Sequence, residues 1–365
     1  MTAPPAPVAA ARDVGRPPSE GDGARPARRR RGWHIALFAV GIAAIAALLA
    51  VVGWGPIMEN LSRIDGYFFV LVALYAGAQI AFSLGWWVIV GRPHPRSFGE
   101  LFATYLAGDS VNYFTGVGGE PVKAHLLRPK MGFGLAFATV AVHRHADLIA
   151  QWLFLIAGIT IAIVRFDLPP AAKYAAVAGL VGFGGIAFGM TRALRRGAFG
   201  PMTRGLSRIK PLAARLAKLE ADAHRLDERI RAYYHAEEHP RTFTLAVAWG
   251  FLGWCGGLVE TWIVLRLLSP GHGFATAFAI EALAMIFNSM LLFIPARIGS
   301  AEGVRVGVYA LVGLTAAQGA AWALVRRARE LLWLVPGIIV LLKHHLIDVG
   351  RLRLEKLDLS GEASR

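Results

Sequence analysis

An all-α polytopic membrane protein is the fold class this sequence predicts, with about six crossing helices plus two broken or re-entrant segments arranged as an inverted repeat. Three observations carry the expectation. The 365 residues are 55% hydrophobic and only 17% charged, with mean hydropathy +0.48, too apolar for a water-soluble domain. Apolar runs of about 20 residues, the length that crosses a bilayer, recur along the chain. Two stretches also repeat one order of charges in apolar surroundings: Glu100, Glu120, Arg144, Asp147, then Glu281, Glu302, Arg327, Glu330.

The elements follow in order. Residues 1–32 are Pro, Ala, Gly and Arg and end in Arg28–Arg31. Such a segment buries too little apolar surface to offset chain entropy, so a disordered basic cytoplasmic tail is expected. Residues 33–190 form the first membrane repeat. Its first span is His34–Trp54, too long for a signal-peptide core. Gly66–Val90, Ala146–Val164 and Lys173–Met190 are the next three spans. Thr191–Arg241 is polar and carries twelve Lys/Arg, which places it in the cytoplasm by the positive-inside rule. Residues 242–345 form the second repeat, with spans at Thr242–Leu268 and Ala320–Leu342, the latter bent at Pro336. Residues 346–365 are a cytoplasmic tail.

Phe98–Lys130 and Ala275–Thr315 are apolar but interrupted by Gly, Pro and charge. Each reads as a re-entrant hairpin or a pair of short crossings. Broken backbone at that depth is tolerated only where protein or a water-filled cavity surrounds it. Three crossings separate the two regions, so they enter from opposite sides, which is the inverted-repeat plan of alternating-access transporters.

The chemistry sits at the breaks. Asn112–Pro121 is glycine-rich and ends in Gly119-Glu120-Pro121, with Lys123, His125 and Arg128 following on the new helix. An acid suits a helix start, and the bases after it are placed to meet a phosphate headgroup or to face the cytoplasm. Pro295–Gly303 repeats the plan, with Arg297 in the loop, Glu302 at the helix start and Arg305 three residues on. Arg144 with Asp147, and Arg326 or Arg327 with Glu330, lie three or four residues apart and so share a helix face. Each pair can neutralise itself. Glu120 and Glu302 also need buried partners, and Arg144 and Arg327 are the bases available. An acid or base at this depth marks a functional site by default, and the alternative is a set of ion-pair locks between helices.

The expected binding set is therefore Glu120, Lys123, Arg128, Arg144, Asp147, Arg297, Glu302, Arg305, Arg327 and Glu330. The lone Cys255 and the lack of Cys/His clusters give no support for zinc, and neither a metal nor a cofactor is expected. The net charge of +15 lies outside the apolar runs, which points to anionic lipid and membrane orientation rather than nucleic acid. Leu212, Leu216, Leu219, Ala223, Leu226 and Ile230 form a heptad-like seam over about three heptads. It reads as an amphipathic helix on the inner leaflet or on the bundle itself, or else as a self-association or partner helix.

Asn112–Leu127 with its Gly119-Glu120-Pro121 and Lys123, the Arg144–Asp147 helix, and Pro295–Gly303 with the later Arg327 resemble the flippase-like family. It is also called the lysylphosphatidylglycerol synthase transmembrane-region family. The resemblance spans roughly residues 35–345 and puts Glu120, Arg144, Asp147 and Glu302 at motif positions. It implies a multi-span inner-membrane domain that moves or presents lipids, in glycolipid, hopanoid or anionic-phospholipid pathways. Pro295-Ala296-Arg297 departs from the family's usual Pro-Gly-Gly. About twenty residues follow the last expected span, so no soluble aminoacyl-transfer domain, and no enzyme, is expected. Two functions stay open: a transporter of anionic or phosphate-bearing lipids, or a non-transporting scaffold for a lipid-modifying enzyme.

Overall fold

The computed structural model describes residues 50, 52–91, 97–116, 118–206, 210–237, 239–291 and 299–362, with backbone alone for 206, 210–222 and 345–362. Among the described residues all regular structure is helical. Helix α1 (Trp54–Ile64) runs through a short 3₁₀ turn into α2 (Phe68–Val90). Then come α3 (Phe98–Thr115), α4 (Gly119–Met131), α5 (Phe133–Arg165) and α6 (Pro170–Arg196). The polar stretch holds α7 (Phe199–Leu206) and α8 (Lys210–His235). The second repeat supplies α9 (His239–Leu268), α10 (Phe274–Met290), α11 (Ser300–Leu311) and α12 (Ala316–Glu362).

Among the described residues four helical stretches are long and apolar enough to cross a membrane: Trp54–Val90, Phe133–Arg165, Pro170–Arg196 and His239–Leu268. The protein is thus a multi-pass, all-α membrane protein. The expected first span falls almost wholly outside the described residues. The expected third span starts earlier, at Phe133, because its polar residues are satisfied inside the bundle. His143 Nε2 bonds to the Phe82 carbonyl at 3.0 Å, and His145 sits between the Tyr234 hydroxyl and Thr191 Oγ1 at 2.6 and 2.7 Å. The expected sixth span lies inside α12, where Arg326, Arg327, Arg329 and Glu330 interrupt the apolar run.

Both interrupted regions are helix–break–helix hairpins. Gly116 turns the first at φ 79°, and Gly299 opens α11 at φ 78°, a backbone region glycine enters without strain. At 1.5 Å per residue α4 and α11 are only about 20 and 18 Å long, short of the ~30 Å hydrocarbon core. Neither crosses alone. Helix α4 lies close on α3 because Gly108 and Gly119 face one another, and a Cβ on either would strike the other's backbone.

Packing follows an exchange between repeats. Helix α2 packs on α9, α3 on α12, and α10 on α5. Gly85 touches Ala246 and Trp249, Phe82 meets Gly253, and Ala78 meets Gly256, so α2 and α9 run antiparallel. Helix α3 is likewise antiparallel to α12: Tyr113 meets Arg327, Ser110 bonds to the Leu334 carbonyl at 3.2 Å, and Leu106 meets Gly337. In the matching pair, Phe278 of α10 packs on Phe154 of α5 with ring centroids 4.7 Å apart. The main core fills the space between these exchanged helices, from Leu71 and Phe154 to Leu283 and Trp322.

The polar stretch docks beneath the bundle. Ile230 of α8 is buried with Ala138, Ala141 and Leu194, and Leu226 packs on them. Asp227 accepts the backbone N–H groups of Ala198, Phe199 and Gly200 at 3.0, 3.1 and 2.8 Å, which caps α7. The described end of the heptad-like seam therefore faces the bundle. Leu212, Leu216 and Leu219 fall where side chains lie outside the described residues.

Candidate functional site

The second repeat builds a dense charge network on α9, α10, α11 and α12. Glu281 accepts from Arg305 at 3.0 Å and from Arg326 at 3.1 Å, and also takes the Thr261 hydroxyl. Trp322 Nε1 holds that hydroxyl from behind at 3.1 Å. Glu302 takes Arg327 Nε at 2.6 Å, while its other oxygen accepts the Gly299 N–H at 2.8 Å and so caps α11. Arg329 pairs with Glu260, and both are almost fully buried. Glu330 lies 3.3 Å from Arg326 and 3.8 Å from both Arg327 and Arg329. Four arginines thus meet four glutamates. Taking an ion out of water costs several kcal/mol, so such a set persists only when each member is paired and hydrogen-bonded.

The first repeat is looser. Glu120 accepts from Asn112 Nδ2 at 3.0 Å, and Asn112 Oδ1 takes the Gly119 N–H at 2.7 Å, so one asparagine ties α3 to the start of α4. Arg144 pairs with Asp147 at 2.6 Å, and Asp147 also accepts Trp254 Nε1 from α9 at 3.1 Å. The expected Glu120–Arg144 pair does not form, because Asp147, one turn along the same helix, takes the guanidinium first. Lys123 is 6% exposed and lies over the Tyr105 ring, 4.3 Å from its centroid. Glu100 is not in the buried set: it forms an exposed pair with Lys130 at the open end of the hairpin.

The two networks touch. Arg327 donates to the Tyr113 hydroxyl of α3, and Arg329 stacks on the Tyr75 ring of α2 at 3.9 Å. Tyr75 is within electrostatic reach of Asp109 in its own repeat and of Arg329, Glu330 and Arg326 in the other. Asp109 is itself held by Gln79 Nε2 at 3.1 Å. A polar seam therefore crosses the interface between the repeats.

Of the expected residues, Glu120, Lys123, Arg144, Asp147, Glu302, Arg305, Arg327 and Glu330 line this seam. Lys123 and Arg305 are both buried, 6% and 5% exposed. The reason is helical register, since both point back onto the leading helix of their own hairpin. Arg128 stands apart, in a cleft of about 320 Å³ lined by His125, Leu126, Arg128, Pro129 and His344. Arg297 lies outside the described residues. Sequence reasoning missed Asp109, Glu260 and Arg329. Glu260 is a lone acid in an apolar run, which the cost of an intramembrane charge flags by itself. Among the described residues no His/Cys/Asp/Glu group is arranged to hold a metal ion.

Comparison with known proteins agrees with the geometry. The family described as "Lysylphosphatidylglycerol synthase TM region" matches residues 36–337. A protein called "UPF0104 membrane protein", from Methanothermobacter thermautotrophicus, is 23% identical over 311 residues, covering 80% of this chain and 89% of its own length. No solved structure matches the chain. The chain belongs to the lysylphosphatidylglycerol synthase transmembrane-region family.

Proposed function

We propose that this member of the lysylphosphatidylglycerol synthase transmembrane-region family moves a phosphate-bearing lipid between the leaflets of the inner membrane. The observation that carries the reading is the polar seam between two exchanged, antiparallel repeats, each with a short half-helix that begins at an acid and continues into a base. The base of the first half-helix, Lys123, makes no ion pair among the described residues and suits a headgroup phosphate. Apolar outer faces such as Val181, Ile186 and Phe188 of α6 would keep acyl chains in hydrocarbon while the head follows the seam. On this reading the chain performs no covalent chemistry, and its termini and Thr191–Arg241 face the cytoplasm.

A second reading, a scaffold for a lipid-modifying enzyme, has one observation in its favour. Among the described residues the second network sets four arginines against four glutamates, as a structural lock would. Leaflet distribution of phospholipids in cells with and without the protein separates the two. Transport predicts a shift of one phosphodiester lipid toward one leaflet, and a scaffold predicts altered lipid composition with unchanged asymmetry.

A further inference from the structure

The two hairpins differ at one buried contact. Seven residues into the leading helix stands Tyr105 in α3 and Glu281 in α10, counted from Phe98 and Phe274. Asn112 and Asn288 match by the same count. Three residues past the acid stands Lys123 in α4 and Arg305 in α11. In the second hairpin the base meets a carboxylate, Arg305 on Glu281 at 3.0 Å. In the first it meets a ring, with Lys123 Nζ 4.3 Å from the Tyr105 centroid.

The difference leaves a buried ammonium without an acid. Among the described residues Lys123 forms no ion pair or hydrogen bond, although it is 6% exposed. Asp109, Glu120 and Asp147 act on it only at longer range. Each has its own direct contact, with Gln79, Asn112 and Arg144 respectively, of which only Arg144 is charged, so these acids compensate Lys123 through space without touching it. A ring face takes up none of the ammonium's three N–H donors, so these remain available to an oxygen acceptor on a ligand.

We infer that Lys123 is the dock for the phosphodiester of a lipid headgroup, which supplies the direct anionic partner that Glu281 is to Arg305 in the second hairpin. The first hairpin is then the ligand half, and the second is a permanently neutralised lock. The surrounding acids disfavour a dianionic phosphate monoester and suit hydroxyl or ammonium groups beyond the phosphate. This inference rests on the lipid-handling function proposed above, but binding and movement are separable.

The test is thermal unfolding of the purified protein in nonionic detergent, titrated with phosphatidylglycerol and, as a control, with diacylglycerol. Phosphatidylglycerol should stabilise the wild type and Arg128→Ala, and diacylglycerol should not. Lys123→Met should lose about tenfold or more in apparent affinity, the worth of one charge-assisted hydrogen bond. Tyr105→Glu should lose as much by giving Lys123 the internal carboxylate that Arg305 already has. It adds a partner rather than removing one, so it keeps the test open if Lys123→Met does not fold. Unchanged affinity in these variants, or no stabilisation of the wild type, overturns the inference. Binding that survives in a protein unable to move lipid in vesicles upholds Lys123 as the dock and refutes transport instead.

Discussion

Arg327 of the second repeat donates to the hydroxyl of Tyr113 in the first, while its Nε stays on Glu302 at 2.6 Å. One guanidinium therefore bonds both repeats at the seam. Tyr113→Phe removes only the hydroxyl. A hydrogen bond to a charged group contributes about 1.5–3 kcal/mol. Thermal unfolding in detergent should show a loss of that size, with the Arg327–Glu302 pair intact. An unchanged midpoint would mean that the contact does not join the repeats energetically.

Glu260 and Arg329 make the most buried ion pair of the described residues, and Arg329 also stacks on Tyr75. Glu260→Gln leaves the buried guanidinium with Glu330 alone among the described acids, 3.8 Å away, a loss of up to about 3–5 kcal/mol. Glu260→Leu combined with Arg329→Met should recover most of it, because apolar replacement removes both desolvation costs. Folded yield and melting temperature of the three proteins read this out directly. A double variant as unstable as the single one would contradict a mainly structural role for the pair.

Arg144 answers to Asp147 rather than to Glu120. In double-mutant cycles Arg144→Gln and Asp147→Asn should couple by about 0.5–3 kcal/mol, as contacting pairs do. Arg144→Gln with Glu120→Gln, whose charges act on each other without an ion pair, should couple more weakly than the first cycle. Strong coupling in the second cycle would restore the pairing expected from the sequence.

The elements were legible because hydropathy and charge act locally. Long apolar runs, glycine breaks and repeated acids located four of the six expected spans and both hairpins, while the first expected span lies almost wholly outside the described residues and charges interrupt the sixth. Partner choice was not legible. Glu120 and Arg144 are separated by a hairpin turn, whereas Asp147 sits one turn from Arg144, and sequence spacing alone did not rank the two. Glu260 and Asp109 escaped notice because each stands alone in its run, and their partners lie far away in the chain at Arg329 and Gln79. The unequal halves, with Tyr105 opposite Glu281, emerge only once the hairpins are superposed in register.

Orientation is the next expectation. Lys and Arg concentrate in Thr191–Arg241, and Ser269–Gly273 has neither. Reporter fusions at Gly271 and at the C-terminus should therefore lie on opposite sides of the membrane. Fusions on the same side would break the antiparallel relation between the repeats and the function drawn from it.

The most direct test is lipid movement by the purified protein alone. Liposomes carrying a head-labelled phosphatidylglycerol are assayed with an impermeant quencher, with and without an ion gradient. Protein-containing vesicles should expose the inner-leaflet label well beyond the half accessible in empty ones, and Lys123→Met or Tyr105→Glu vesicles should behave as empty. A wild-type signal no different from empty vesicles, for phosphatidylglycerol and for other phosphodiester lipids, would contradict transport and leave the scaffold.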